Sequence, residues 1–282
     1  MQTSSTTILK HIRGGNINAK QCVVFVHGWG CHAADYQLLF DVFKRISIDF
    51  QYLAVDLPGH GSPNGICAEP TVTNLAASIL ETVQQLSLRE VYLAGHSMGC
   101  RLISKAWQQA RERHDVFIKG LIFLDGSSYK LRPKSQISED DLTQQEKSLR
   151  RIQLFQSMFS DNTPEDFELD FLQHLGSLDK AYIEILRKSY MDFDQDGLEQ
   201  ALAEVGKADL PLLSLQSTDI SADNERIQLR AGQSSKWVEL IQEKVPRAQQ
   251  RVIARSGHFP HVDQPEAVAG FIVDFISEHG LA

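Results

Sequence analysis

The stretch Glu90-Val91-Tyr92-Leu93-Ala94-Gly95-His96-Ser97-Met98-Gly99-Cys100 decides how this chain is read. The run Glu90–Ala94 has strand character and enters G-x-S-x-G, and a helix is expected from about Cys100. A serine in that strand–turn–helix context sits on a sharp, strained turn, with its hydroxyl presented at the C-terminal edge of a sheet. The flanking Gly95 and Gly99 remove Cβ atoms that would collide with the neighbouring strand and helix. A helix N-terminus beneath Ser97 favours negative charge developing there. The competing account is a glycine-rich turn holding a serine by chance.

A serine hydroxyl is a poor nucleophile unless a base takes its proton. In this context the histidine follows the serine in chain order. His258, in Ser256-Gly257-His258-Phe259-Pro260, stands between a last strand and a last helix, where a loop can bring the imidazole over Ser97. His261 competes but reads better as a surface residue leading into the final helix. His96 adjoins the serine, so its side chain points elsewhere, and it reads as packing or substrate contact. His27, His32, His60 and His174 read as turn or helix residues.

Working outward, six segments read as strands: Cys22–Val26, Gln51–Val55, Glu90–Ala94, Gly120–Leu124, Pro211–Gln216 and Gln250–Ile253. Most are apolar without alternation, as in strands buried on both faces of a parallel sheet. Apolar stripes of helical period lie between them, one on Leu75, Ile79, Leu80, Val83 and Leu86. Another, on Val268, Phe271, Ile272, Phe275 and Ile276, is opened by Pro265. Strands alternating with helices predict an α/β sheet covered on both faces. Two regions break the alternation. Residues 1–20 hold at most two short strands around Gly14-Gly15. Residues 125–210 carry no strand signal but four helical stretches, near 140–160, 164–175, 179–191 and 197–207. They predict a helical insertion on the sheet.

The chain has 282 residues, 42% hydrophobic and 23% charged, which excludes a disordered or collagen-like polymer. No apolar run approaches the ~18 residues of a membrane helix. With 28 basic and 36 acidic residues the net charge is −8, the wrong sign for a nucleic-acid protein. The one basic knot, Lys130, Arg132 and Lys134, reads as a solvated loop. Cys22, Cys31, Cys67 and Cys100 show neither a C-x-x-C pair nor metal-ligand spacing, so no metal or cofactor is expected. Residues 1–20 lack the basic start and apolar core of a signal peptide, which points to a reducing cytoplasm. Monomer and homodimer fit equally.

Four motifs together carry a family resemblance. They are His27-Gly28-Trp29-Gly30, Asp56-Leu57-Pro58-Gly59-His60-Gly61-Ser62, Gly95–Gly99 and Gly257-His258-Phe259-Pro260. On these the chain resembles the α/β-hydrolase fold superfamily, over residues 20–127 and 209–282. The resemblance implies an eight-strand, mostly parallel sheet, with a first strand or two that is small or missing here. It implies a core of residues 1–127 and 209–282 and a helical cap, residues 128–208, between strands six and seven. It implies a catalytic Ser97–His258–acid set. The backbone N–H groups of Trp29 and Met98 would form an oxyanion hole, and the Trp29 side chain would line the pocket.

Two aspartates compete as the acid that orients His258. Asp219 follows Pro211–Gln216, the common arrangement. Asp125 ends Gly120–Leu124 in Leu124-Asp125-Gly126-Ser127-Ser128, the minority one. The glycine that usually opens the loop before the common acid is absent from Gln216-Ser217-Thr218, and that stretch together with Asp125-Gly126-Ser127 resembles a subgroup in which the earlier acid serves, so Asp125 is preferred. Asp223 is a weaker third choice.

The expected chemistry is acyl transfer to water, on a small, partly apolar ester, lactone or thioester. A histidine base predicts activity that falls as pH drops through about 6.5. Carbon–carbon bond hydrolysis would use the same residues. Cofactor-free dioxygenases and ligand receptors share the fold. A reading of another class also exists: Gly28-Trp29-Gly30-Cys31-His32-Ala33, with Asp56 on the next strand, mimics a dinucleotide-binding fingerprint, but it leaves the serine turn and late histidine unexplained. Phe155, Met158, Phe159, Phe167 and Phe171 in the insertion are spaced like helix core.

Overall fold

The computed structural model describes residues 8–60, 69–113, 116–131, 143–221 and 225–280. Gly61, Ser62, Cys67, Arg132, Lys134 and Asp223, named above, lie outside that set.

A seven-stranded sheet organises the chain, in the order β1-β3-β2-β4-β5-β6-β9. Its strands are β1 (His11–Gly15), β2 (Gln21–Val26), β3 (Gln51–Val55), β4 (Glu90–His96), β5 (Phe117–Leu124), β6 (Leu212–Gln216) and β9 (Gln249–Val252). Only β1 is antiparallel, against β3. β7 (Thr218–Ile220) and β8 (Arg226–Gln228) make a separate antiparallel ribbon. All six strand segments read from the apolar runs are present. The eight-strand count is not met among the described residues, whose one strand ahead of β2 is β1. The small ribbon was not foreseen, because three-residue strands carry no readable periodicity.

β2 and β3 are almost wholly buried, which is why their sequences run apolar without alternation. Helices α1 (Gln37–Ile46) and α10 (Pro265–His279) pack on one face, with Phe25, Phe40, Tyr92 and Phe275 at the seam. Helices α2 (Val72–Gln85), α3 (Met98–Ala110) and α8 (Lys236–Lys244) cover the other. Pro265 stands in the first turn of α10, where its missing N–H leaves no bond unmade. Cys22, Cys31 and Cys100 are buried free thiols.

Between β5 and β6 lie α4 (Gln144–Gln156), α5 (Glu165–Ser177), α6 (Lys180–Asp192), a π-helical turn (Phe193–Gly197) and α7 (Leu198–Lys207). α4 opens with a capping box: Glu146 N–H donates to Thr143 Oγ1, and the Glu146 carboxylate accepts from Thr143 N–H. α7 buries Leu198, Leu202 and Val205 in the same apolar cluster as α3. The insertion is tied to the sheet at polar points. Tyr182 Oη donates to the Pro58 carbonyl at 2.6 Å, and Val72 N–H donates to Ser189 Oγ at 3.0 Å. Arg101, one turn into α3, holds Asp194 with two 2.7 Å bonds, both side chains almost fully buried. Removing one member of such a pair leaves a buried charge badly compensated. Arg101→Met is therefore expected to lower stability by about 3–5 kcal/mol, read as a drop in the urea midpoint. No helix of the described residues is long and apolar enough to cross a membrane.

Candidate active site

β4 lies mid-sheet with β2 and β5 on either side, so three adjacent strands end together. His96 pairs with Leu124 and Gly95 with Val26. The residues that follow these ends, Trp29, Ser97 and Asp125, thus gather at one edge. The chain turns at Ser97 with φ +52° and ψ −112°, a left-handed conformation that costs about 1–3 kcal/mol. Ser97 N–H bonds the Leu124 carbonyl at 3.0 Å, and α3 begins at Met98. A Cβ on Gly95 would sit 2.5 Å from the Gly99 backbone, and one on Gly99 would sit 2.3 Å from the Val26 carbonyl oxygen. Only glycine allows α3 to leave the sheet at that angle.

His258 follows β9 and reaches back across the edge. Ser97 Oγ lies 2.8 Å from His258 Nε2, and His258 Nδ1 lies 2.6 Å from Asp125 Oδ2. A carboxylate can only accept, so Nδ1 carries the proton and Nε2 faces the serine as acceptor. Asp125 is fully buried at φ +45°. Its Oδ1 accepts from Ser217 N–H at 2.8 Å and Thr218 N–H at 2.7 Å. Its Oδ2 also accepts from Thr218 Oγ1 at 2.6 Å and Arg226 Nη1 at 3.1 Å. Asp219, the competing acid, is half-buried in β7, its Oδ1 accepting from Ile220 N–H at 2.9 Å. The bonds to His258 Nδ1 and Ser97 therefore join Ser97, His258 and Asp125, and Asp219 stands outside that line.

The loop bearing His258 is pinned from below and above. Asp263, in α9 (Pro260–Asp263), accepts from Gly257 N–H at 2.7 Å and Ser256 Oγ at 3.1 Å. The same carboxylate takes Ser160 Oγ at 2.9 Å and Thr163 Oγ1 at 2.7 Å, which belong to the insertion. His258 N–H donates to the Met158 carbonyl at 2.6 Å. Asp263, Thr218 and Arg226 were missed in sequence. The one available signal for Asp263 was its place five residues after the histidine, in His258-Phe259-Pro260-His261-Val262-Asp263.

The other histidines are more buried than their sequence suggested. His261 is not a surface residue: it is 1% exposed, with its ring 4.7 Å from Tyr36 and 4.8 Å from His96. Packing of α9 against α1 and the preceding turn encloses it. His96 is equally buried, donating from Nε2 to the His258 carbonyl at 2.7 Å, so of its two sequence readings packing is the one its placement fits. His27 donates from Nδ1 to the Gly28 carbonyl at 2.9 Å and accepts Leu57 N–H on Nε2 at 3.0 Å, which fixes it neutral. His32 sits between two carboxylates, with Nδ1 3.2 Å from Asp35 and Nε2 3.0 Å from Asp170 of α5. These three are the described residues whose ligand atoms come close enough to consider a metal ion. Each ring nitrogen faces a different carboxylate, the geometry of a hydrogen-bonded bridge. Gly28, of the dinucleotide-like stretch, has a packing role: a Cβ there would meet His96 Nδ1 at 2.8 Å and Ser97 Cβ at 3.0 Å.

Burial holds His27, His96 and His261 well below the usual imidazole range, and pushes His60 down to about 4. Neighbouring histidines push the first three the same way. Their folded-state affinity for protons is thus lower than in the unfolded chain. Between the unfolded value near 6.5 and each folded value, the unfolded chain binds more protons, so stability falls as pH falls. Each histidine contributes up to ~1.4 kcal/mol per pH unit. Asp35 opposes them, because burial raises its carboxyl to about 6. Burial lowers His174 as well and raises Glu168 alongside Asp35; with five histidines against two carboxyls, the urea midpoint is expected to be lower at pH 5 than at pH 7.5.

The insertion phenylalanines form an aromatic cluster around Phe259, next to His258. Phe159, Phe167 and Phe171 lie 5.7, 5.0 and 5.2 Å from its ring. Phe171 is buried, whereas Phe155, Met158, Phe159 and Phe167 are only partly buried and, instead of a core internal to the insertion, form the seam that seats it against the histidine loop.

The model of the alpha/beta hydrolase family matches residues 23–271. This chain belongs to the alpha/beta hydrolase family. The α/β-hydrolase sheet and elbow described above agree with that membership. Among its relatives is an esterase/lipase-named protein of Mycoplasma genitalium, 23% identical over 273 residues, covering 91% of this chain and 89% of that one. Another, of Mycoplasma pneumoniae, is 25% identical over 172 residues, and the match spans 61% of its length. Among solved structures, an esterase of Exiguobacterium antarcticum superposes with a TM-score of 0.69 at 18% identity, covering 95% of each chain. That likeness is one of fold.

Proposed function

We propose that this α/β-hydrolase is a serine hydrolase that cleaves an ester, lactone or thioester of a small, partly apolar molecule through an acyl-enzyme. One observation carries the proposal: the unbroken hydrogen-bond line Ser97 Oγ–His258 Nε2, His258 Nδ1–Asp125 Oδ2. The esterase/lipase-named relatives favour the same bond class.

The steps follow from the placement of protons. His258 takes the Ser97 proton on Nε2 as Oγ attacks the carbonyl carbon. Asp125 keeps Nδ1–H in place and offsets the imidazolium that forms. The carbonyl oxygen becomes an oxyanion, for which we assign the N–H groups of Met98, the first residue of α3, and Trp29. One such donor supplies about 2.7–4 kcal/mol of transition-state stabilisation. The imidazolium proton passes to the leaving alcohol or thiol. Water then enters, gives its proton to His258 and releases the acid, and Ser97 recovers its hydrogen.

The insertion, residues 128–208, is the cap in this proposal. Its α5 and the turn that follows α4 pack at the histidine loop through Phe159, Phe167 and Phe171, α6 rests on Pro58 and α2, and α7 belongs to the helical layer with α3. The half-buried Trp29 ring, edge-on to Tyr190 of α6 at 5.4 Å, would line the pocket between core and cap. A fluorophosphonate probe followed by peptide mapping tests the proposal. The expected adduct is on Ser97, and labelling elsewhere or not at all would overturn it. A series of p-nitrophenyl esters is then expected to peak at short acyl chains. Oxygen uptake with a hydroxyquinolone, in place of ester cleavage, would instead favour the cofactor-free dioxygenase chemistry.

A further inference from the structure

Asp125 has a partner that acyl transfer does not require. Arg226 Nη1 lies 3.1 Å from Asp125 Oδ2, the same oxygen that bonds His258, and 2.8 Å from Thr218 Oγ1. The guanidinium is almost fully buried, 4% exposed, beside a carboxylate with no exposure. A buried ion pair is retained at a desolvation penalty of several kcal/mol per ion. Arg226 reaches this place through the β7–β8 ribbon, in which Ile220 pairs with Arg226. Its backbone N–H is anchored on Ser157 Oγ of the insertion at 2.9 Å. The ribbon thus delivers both Thr218 and Arg226 to one oxygen of one aspartate.

We propose that Arg226 is a positioning residue of this site, one that fixes Asp125 Oδ2 toward His258 and sets how readily His258 takes a proton. The inference rests on the triad reading above and deepens it. A carboxylate alone beside an imidazole favours the imidazolium. A permanent cation on the same oxygen cancels much of that field, so the base stays unprotonated to lower pH. The hydrogen bond that orients the ring survives, because Oδ2 keeps Nδ1–H. Asp125 orients the ring, and Arg226 holds Asp125 in place while tempering how strongly it favours the imidazolium.

The charged and titratable groups facing His258 limit what else could act. Asp125 follows β5 and Arg226 is on β8. His96 ends β4, its ring 4.7 Å from that of His258, and is held neutral by burial. His261 on α9 is neutral for the same reason. Asp263 lies under the loop, bonded to Gly257, Ser256, Ser160 and Thr163. Among these, Arg226 is the cation bonded to the oxygen that His258 uses.

The test compares wild type with Arg226→Gln and Arg226→Lys. Titration of the His258 ring is followed by NMR, its signal assigned with His258→Asn, and the acid limb of kcat/KM is followed with a p-nitrophenyl ester. In Arg226→Gln both the titration and the limb are expected to move up by about one pH unit. KM should stay within twofold, and Arg226→Lys should restore most of the shift. A titration in folded Arg226→Gln that coincides with wild type would overturn the proposal. If Arg226→Gln does not fold, Arg226→Lys against wild type still decides, since a lysine that keeps charge but not reach should shift KM little and the limb by less than a unit; a limb displaced downward would refute it. The NMR arm needs no turnover. Fluorophosphonate failing to label Ser97 would sink the hydrolase reading alone, whereas labelling with an unmoved titration would sink the Arg226 inference alone.

Discussion

Ser97→Ala is expected to lower kcat on the best p-nitrophenyl ester by about 10⁶-fold, leaving only what substrate binding and oxyanion donors supply. The size follows from the arrangement. Ser97 Oγ is the atom presented to His258 Nε2 at 2.8 Å, and water in its place has neither that bond nor the fixed geometry. Folding should change little, because the strained φ of +52° is imposed by the strand and helix on either side, and alanine meets the same strain as serine. KM should change far less than kcat. Activity above about one per cent of wild type, with circular dichroism unaltered, would mean that the bond-breaking group is elsewhere.

Asp125→Asn is expected to lower kcat by about 10⁴-fold, and Asp219→Asn to leave it within twofold. The amide cannot hold His258 in the tautomer that leaves Nε2 free for Ser97. It would also turn a donor toward a cradle made of donors: Ser217 N–H, Thr218 N–H, Thr218 Oγ1 and Arg226 Nη1. A loss of stability is therefore expected as well, and the urea midpoint of each variant separates folding from chemistry. Asp219 sits mid-strand in β7 and bonds its own neighbour, so its amide should be neutral in both measurements. Equal, small losses in both variants would indicate a serine–histidine pair working without an orienting acid.

The contrast between these aspartates marks where sequence stops being informative. Both follow strands, both sit at positions an acid can occupy, and local spacing separates them weakly. What separates them is which carboxylate the His258 loop reaches, 133 residues along the chain from Asp125. His261 illustrates the same limit. It follows Pro260 at a helix start and reads as solvated, yet Tyr36 and His96 enclose it. Arg226 and Asp263 look like ordinary surface charges in sequence. Their burial is created by a three-residue strand pair and a four-residue helix, too short for hydrophobic periodicity to register.

The amino-acid sequence by itself determined the parallel sheet, the serine turn, the late histidine and the four helices of the insertion. Those features are local: buried strands are continuous apolar runs, amphipathic helices repeat every 3.6 residues, and glycines stand where backbones touch. Tertiary structure alone decided which acid meets His258, which histidines stay neutral, and that a guanidinium shares the acid's oxygen. Each of those depends on groups brought together from distant parts of the chain, and on the removal of water around them, which no local pattern encodes.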